Sequence, residues 1–129
     1  MTVAVEPHDS IDYITVRLME VESAIQRAPD ELRRVRDGLA VAEERLASER
    51  AHALLDVVED SAGGKLTVAE RDARVHLRVR EAREAFAVAQ SAYEYARDLT
   101  RALDREKDSL QTRSANLRAE MSLAGKSGA

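Results

Sequence analysis

Two histidines and two aspartates carry the one spacing in this sequence that suggests metal chemistry. His52 and Asp56 lie four residues apart, and so do Asp72 and His76. On a helix, residues four apart share a face. If the two segments pack antiparallel, His52 faces His76 and Asp56 faces Asp72. Two imidazoles and two carboxylates would then converge as ligands for a divalent ion. The alternative is that all four are solvated side chains where a bundle frays. No nucleophile–base set, Gly-rich phosphate loop or Cys/His metal pattern accompanies them, so the sequence predicts no enzyme and no cofactor.

A second set is cationic. Arg71, Arg74 and Arg78 share one helix face, with Arg80 and Arg83 close by. Such a cluster can contact nucleic-acid phosphates. Against this, Glu70, Asp72, Glu81 and Glu84 interleave with the arginines, the pattern of a solvated helix face. No aromatic stacking platform joins them, because Tyr93 and Tyr95 fall at packing positions.

Either set needs long helices to hold it, and the composition supplies them. The chain has 129 residues, 34% charged and 3% aromatic, with one Phe and no Trp or Cys. A thick core needs bulky side chains, whereas a thin helical seam needs only Leu, Val, Ile and Ala. Lack of cysteine removes disulfides and thiolate sites. The net charge of −4 gives no global pull toward nucleic acid or membrane. No basic and apolar leader opens the chain, and no apolar run approaches ~18 residues. The expectation is a cytoplasmic protein with no membrane association.

Apolar residues recur at alternating spacings of three and four from Ile11 through Ile14, Leu18, Val21, Ile25, Ala28, Leu32, Val35, Leu39 and Ala42 to Leu46. This is a heptad seam. Asp9 or Ser10 can cap its start. Pro29 lies within it, and Ala28-Pro29-Asp30-Glu31 reads as a fresh helix start, which predicts a kink or a brief break. Ser61-Ala62-Gly63-Gly64-Lys65 is the clear turn. Thr67-Val68-Ala69-Glu70 then forms a capping box. From there to Met121 no Gly or Pro interrupts, so a single helix of ~80 Å is expected. Its seam runs through Val75, Val79, Ala82, Phe86, Ala89, Tyr93, Ala96, Thr100, Leu103, Lys107, Leu110, Ser114, Leu117 and Met121.

Folding the chain at Gly64 matches the seams: Ile11 with Leu117, Leu18 with Leu110, Ile25 with Leu103, Leu32 with Ala96, Val35 with Tyr93, Leu39 with Ala89, Ala42 with Phe86, Leu46 with Ala82 and Ala53 with Val75. The predicted fold is therefore all-α, a long antiparallel helical hairpin of coiled-coil type. Residues 1–8 form an N-terminal tail and 9–122 the hairpin. Within it, 9–28 and 29–61 make the first limb, 62–66 the turn and 67–122 the second limb, leaving 123–129 as a C-terminal tail. Lys107 should face Val21, a polar layer that fixes register at some loss of stability.

The seam leaves apolar residues over. Val88, Ala92, Tyr95, Leu99 and Ala102 form a second stripe on the returning limb, and Ala40, Ala47, Ala51, Leu54 and Val58 another on the first. Surplus apolar surface of this kind marks an interface. The expectation is a homodimer forming a four-helix bundle, together with a protein partner.

Thr67-Val68-Ala69-Glu70-Arg71-Asp72-Ala73, the Tyr93/Tyr95 middle and the ending Leu110-Gln111-Thr112-Arg113-Ser114-Ala115-Asn116-Leu117-Arg118 carry a likeness. Over residues 30 to 120 the chain resembles small helical proteins encoded in early regions of tailed bacteriophages, beside genes for single-strand annealing recombinases and single-stranded-DNA-binding proteins. The resemblance implies a phage origin and an accessory part in DNA recombination or replication, with contact to single-stranded DNA or a recombinase. It would place nucleic-acid contacts at Arg71, Arg113, Asn116 and Arg118. Set against it, an acidic first limb would lie beside Arg113 and Arg118.

Overall fold

The computed structural model describes residues 10–61 and 64–127. Among these residues there are three helices and no strand: α1 (Ile11–Asp60), α2 (Val68–Arg78) and α3 (Arg80–Ser127). The all-α helical hairpin read from the sequence is the fold. The expected N-terminal tail, Asp9, and Ala62 and Gly63 of the turn lie outside the described residues.

Ser10 caps α1. Its hydroxyl accepts the Tyr13 amide at 3.1 Å, and its carbonyl accepts Ile14 at 3.0 Å. Asp12 sits in the first turn, where a negative charge suits the helix dipole. Of the kink or brief break expected at Pro29, the break is absent: α1 runs through it as one helix of 50 residues. Proline removes one amide from the ladder, a cost of ~3 kcal/mol in a helix interior. Here the ring is exposed, and the seam residues Ile25, Ala28 and Leu32 on either side are half-buried. Their packing holds the helix across the defect. The expected C-terminal tail is corrected likewise, because α3 continues to Ser127.

The chain divides into two compact units. The first combines Met1–Asp30 with Arg97–Ala129. Ile14, Val21 and Leu110 are its buried residues, and Tyr13, Leu18, Ile25, Leu103 and Leu117 pack around them. The predicted pairs Leu18/Leu110 and Ile25/Leu103 thus share one cluster.

The second unit is Glu31–Ala96. Leu46, Ala53, Val79 and Ala82 form its buried cluster, with Val75 and Phe86 against it. These include the predicted pairs Leu46/Ala82 and Ala53/Val75. In this unit the single returning helix is corrected, since α2 and α3 are separated at Val79. Val79 takes φ −98° and ψ 18°, outside the helical basin, while its side chain is only 1% exposed. Its amide still reaches the Val75 carbonyl at 3.1 Å, and its carbonyl accepts Arg83 at 2.9 Å.

Two contacts hold the ends so created. Arg83 Nε on α3 donates to the His76 carbonyl at 3.3 Å, satisfying an acceptor at the end of α2. Arg78 reaches Asp60 at the end of α1, at 2.5 Å. A simple reflection of the chain would set Asp60 opposite Val68, so the straight register does not extend to this end. Val57 is buried here and Asp56 exposed. At the start of α2, Thr67 caps as expected, its hydroxyl accepting the Glu70 amide at 3.1 Å.

Candidate interaction surfaces

The metal reading fails on geometry. Among the described residues no three His, Asp or Glu side chains converge on a point that could hold an ion. His52, Asp56, Asp72 and His76 are all exposed. The His52 ring instead meets the Ser48 carbonyl of its own helix, Nδ1 to O 2.8 Å. His52 and His76 are the immediate neighbours of Ala53 and Val75, which do pack in one cluster, but both rings lie on the exposed side of that seam.

The arginines separate by what they touch. Arg78 is committed to Asp60 and Arg80 to Glu84, whereas Arg83 gives only its Nε, to the His76 carbonyl. Arg113 is half-buried and engaged, while Arg74 and Arg118 are exposed. Arg71 is half-buried, and its Nε is a buried donor that no described group satisfies. The predicted cluster therefore does not present one free cationic face, because the guanidiniums of Arg78 and Arg80 are each paired with a carboxylate.

The apolar stripe of the sequence stands in the open. On α3, Val88 is 71% exposed, Tyr95 69% and Leu99 44%, and Ala92 and Ala102 are exposed as well. These lie on a helix whose Ala89, Tyr93 and Ala96 are half-buried. Along α1, Ala40, Ala47, Ala51, Leu54 and Val58 are exposed as the spacing predicted. The sequence stripes omitted Val41 and Leu55, which are also exposed. An exposed apolar side chain alone means little, whereas several at helical spacing on one helix constitute a surface.

One polar device went unread in the sequence. Arg17 of α1 grips Glu106 of α3 with two nitrogens, Nε to Oε1 at 2.6 Å and Nη2 to Oε2 at 2.9 Å. Arg17 also donates to Glu20 at 3.1 Å. The hydrogen bonds from Arg17 hold the Glu106 carboxyl below the usual carboxylate range, against the opposing effect of its burial. The guanidinium is correspondingly raised, chiefly by its hydrogen bond to Glu106. The sequence reading placed the polar layer at Lys107, which is half-buried. The signal that could have found the pair is position: Arg17 and Glu106 each immediately precede a seam residue, Leu18 and Lys107. Such flanking positions face one another across paired helices.

The sequence matches no protein-family model, no curated protein and no solved structure. No helix among the described residues is long and apolar enough to cross a membrane.

Proposed function

We propose that this chain is a non-enzymatic coiled-coil interaction module that associates with a second copy through the exposed apolar face of α3. The observation that carries this reading is Tyr95, 69% exposed, one turn from Leu99 and two from Val88 on a helix already packed along its seam. A lone helical pair leaves that face in water, and a second copy would bury it as a four-helix bundle. The copy would act as a scaffold on which a further protein docks. A phage origin and an accessory part in recombination remain the context suggested by the resemblance. Direct single-stranded-DNA contact is the weaker reading, since Arg78 and Arg113 are engaged within the chain.

Light scattering across a concentration series tests the proposal. The expected result is a dimer in the parent and a monomer in a Val88→Glu/Tyr95→Glu double variant of unchanged helicity. A parent that stays monomeric throughout overturns self-association. Single-stranded-DNA retention that weakens steeply with salt and is lost in Arg74→Ala/Arg118→Ala would favour the second reading.

A further inference from the structure

On the Glu31–Ala96 unit, α1 and α3 enclose an open groove of about 350 Å³ lined by Glu43, Leu46, Ala47, Arg50, Arg83 and Phe86. Glu43, Ala47 and Arg50 on its walls are exposed, so it is an open surface groove. Its floor is apolar: Leu46 is buried, and Phe86, the one phenylalanine of the chain, is half-buried. Its rim holds two guanidiniums and one carboxylate.

The charge pattern of these two arginines differs from that of their neighbours. Arg17, Arg34, Arg45 and Arg80 each pair with a glutamate three or four residues away on the same helix. Arg50 has Leu46, Ala47, Ala53 and Leu54 at those positions, and Arg83 has Val79, Arg80, Phe86 and Ala87. Neither can be neutralised on its own helix, and the packing brings both to one groove. Arg83 is also held in place, because its Nε is fixed on the His76 carbonyl at 3.3 Å while its terminal nitrogens stay uncommitted to any acid. Glu43 lies on the same rim without an ion pair to either arginine among the described contacts.

We propose that this groove binds the carboxy-terminal residue of a partner protein ending in a large apolar side chain. The terminal carboxylate meets Arg50 and Arg83, the apolar side chain rests on Leu46 and Phe86, and Glu43 accepts the last peptide N–H. A chain terminus fits a compact groove because carboxylate, apolar side chain and N–H belong to one residue. Arginine suits the carboxylate through its planar fork of donors. The inference rests on the interaction-module reading but uses other residues than the α3 stripe. A monomeric parent would therefore leave it standing, and failure of peptide binding would leave self-association standing.

The test titrates the ¹⁵N-labelled full chain with acetyl-Gly-Gly-Leu as free acid, with its carboxamide, and with acetyl-Glu-Leu-amide. The expected result is saturable shifts at Leu46, Arg50, Arg83 and Phe86 with the free acid, and at least about tenfold weaker binding of both amides, the value of a lost charge-assisted hydrogen bond. Arg50→Gln should weaken the free acid by about the same factor. Arg45→Gln, which removes an arginine paired with Glu49 and outside the groove, should leave it unchanged. No saturable shift with millimolar free acid overturns the proposal. Equal binding of the carboxamide, or of the internal Glu-Leu probe, overturns the terminal carboxylate as the recognised group.

Discussion

The unit of Met1–Asp30 with Arg97–Ala129 and the unit of Glu31–Ala96 are built from the same alternating seam, yet they resolve it differently. In the first, one helical stretch packs on another. Ile14, Val21 and Leu110 are buried, and Arg17 clasps Glu106 across the pair. In the second, the returning chain is cut at Val79, and a short helix is held by Arg78 on Asp60 and by Arg83 on His76. The groove and the most exposed apolar side chains of α3, Val88 and Tyr95, belong to this second unit. Both units leave apolar side chains in water, Met19 and Leu99 in the first as well as Val88 and Tyr95 in the second, and the second combines them with the groove.

The contrast predicts that each unit has its own stability. Leu110→Ala should have the largest effect, since removing a fully buried Leu side chain costs ~2–5 kcal/mol. Amide exchange read residue by residue should show faster opening over residues 11–30 and 97–127, with residues 40–60 and 80–90 much less affected. Equal acceleration everywhere would mean that the two units unfold as one body.

Next in size is Pro29→Ala. The proline sits inside α1 with its ring exposed, so alanine restores a hydrogen bond without disturbing any packing. The expected gain approaches ~3 kcal/mol, the penalty of an interior proline, and would appear as a raised thermal midpoint. An unchanged midpoint would show that α1 has already adapted around the missing bond.

The sequence carried the helices, the seam residues and the exposed stripe because all three follow from spacing along one chain. At Pro29 the sequence left a kink and a break both open, because spacing weighs a local penalty without the packing on its flanks, and only the break is excluded. Val79 misled. Nothing in Arg78-Val79-Arg80 announces an interruption, and what holds it there is tertiary: burial with Leu46 and Ala53, and two arginines reaching across. The His52/His76 site failed for another reason: Ala53 and Val75 beside them do pack in the expected register, but the histidines lie on its exposed side. The groove was illegible because Arg50 and Arg83 lie 33 positions apart.

The Arg17–Glu106 clasp should have a smaller effect, with a defined pH signature. Both side chains are about one-third exposed, so solvent screening holds the pair to ~1 kcal/mol or less. Because the folded carboxyl titrates below its ordinary value, the contribution is present above the unfolded Glu value near 4.5 and lost as pH falls through the lower folded value. Denaturant melts of the parent and Glu106→Gln should therefore differ at pH 7 and converge in acid below that range. A gap that persists in acid would assign the difference to packing rather than charge.

Gly38→Ala carries the smallest expected change and returns the comparison to the second unit. Gly38 is an interior residue of α1, and a Cβ added there meets nothing within 4 Å. Within one chain, alanine can only help, by ~0.5–1 kcal/mol from the backbone freedom it removes. The thermal midpoint of a dilute sample should rise slightly. In the dimer the outcome depends on where the second copy lies. If it seats on the exposed face of α3 without covering Gly38, the dissociation constant is unchanged. If its helix passes directly over Gly38, the added methyl holds it off and association weakens while the monomer grows more stable. Light scattering and melting on the same variant thus separate a glycine that is merely tolerated from one required by close approach.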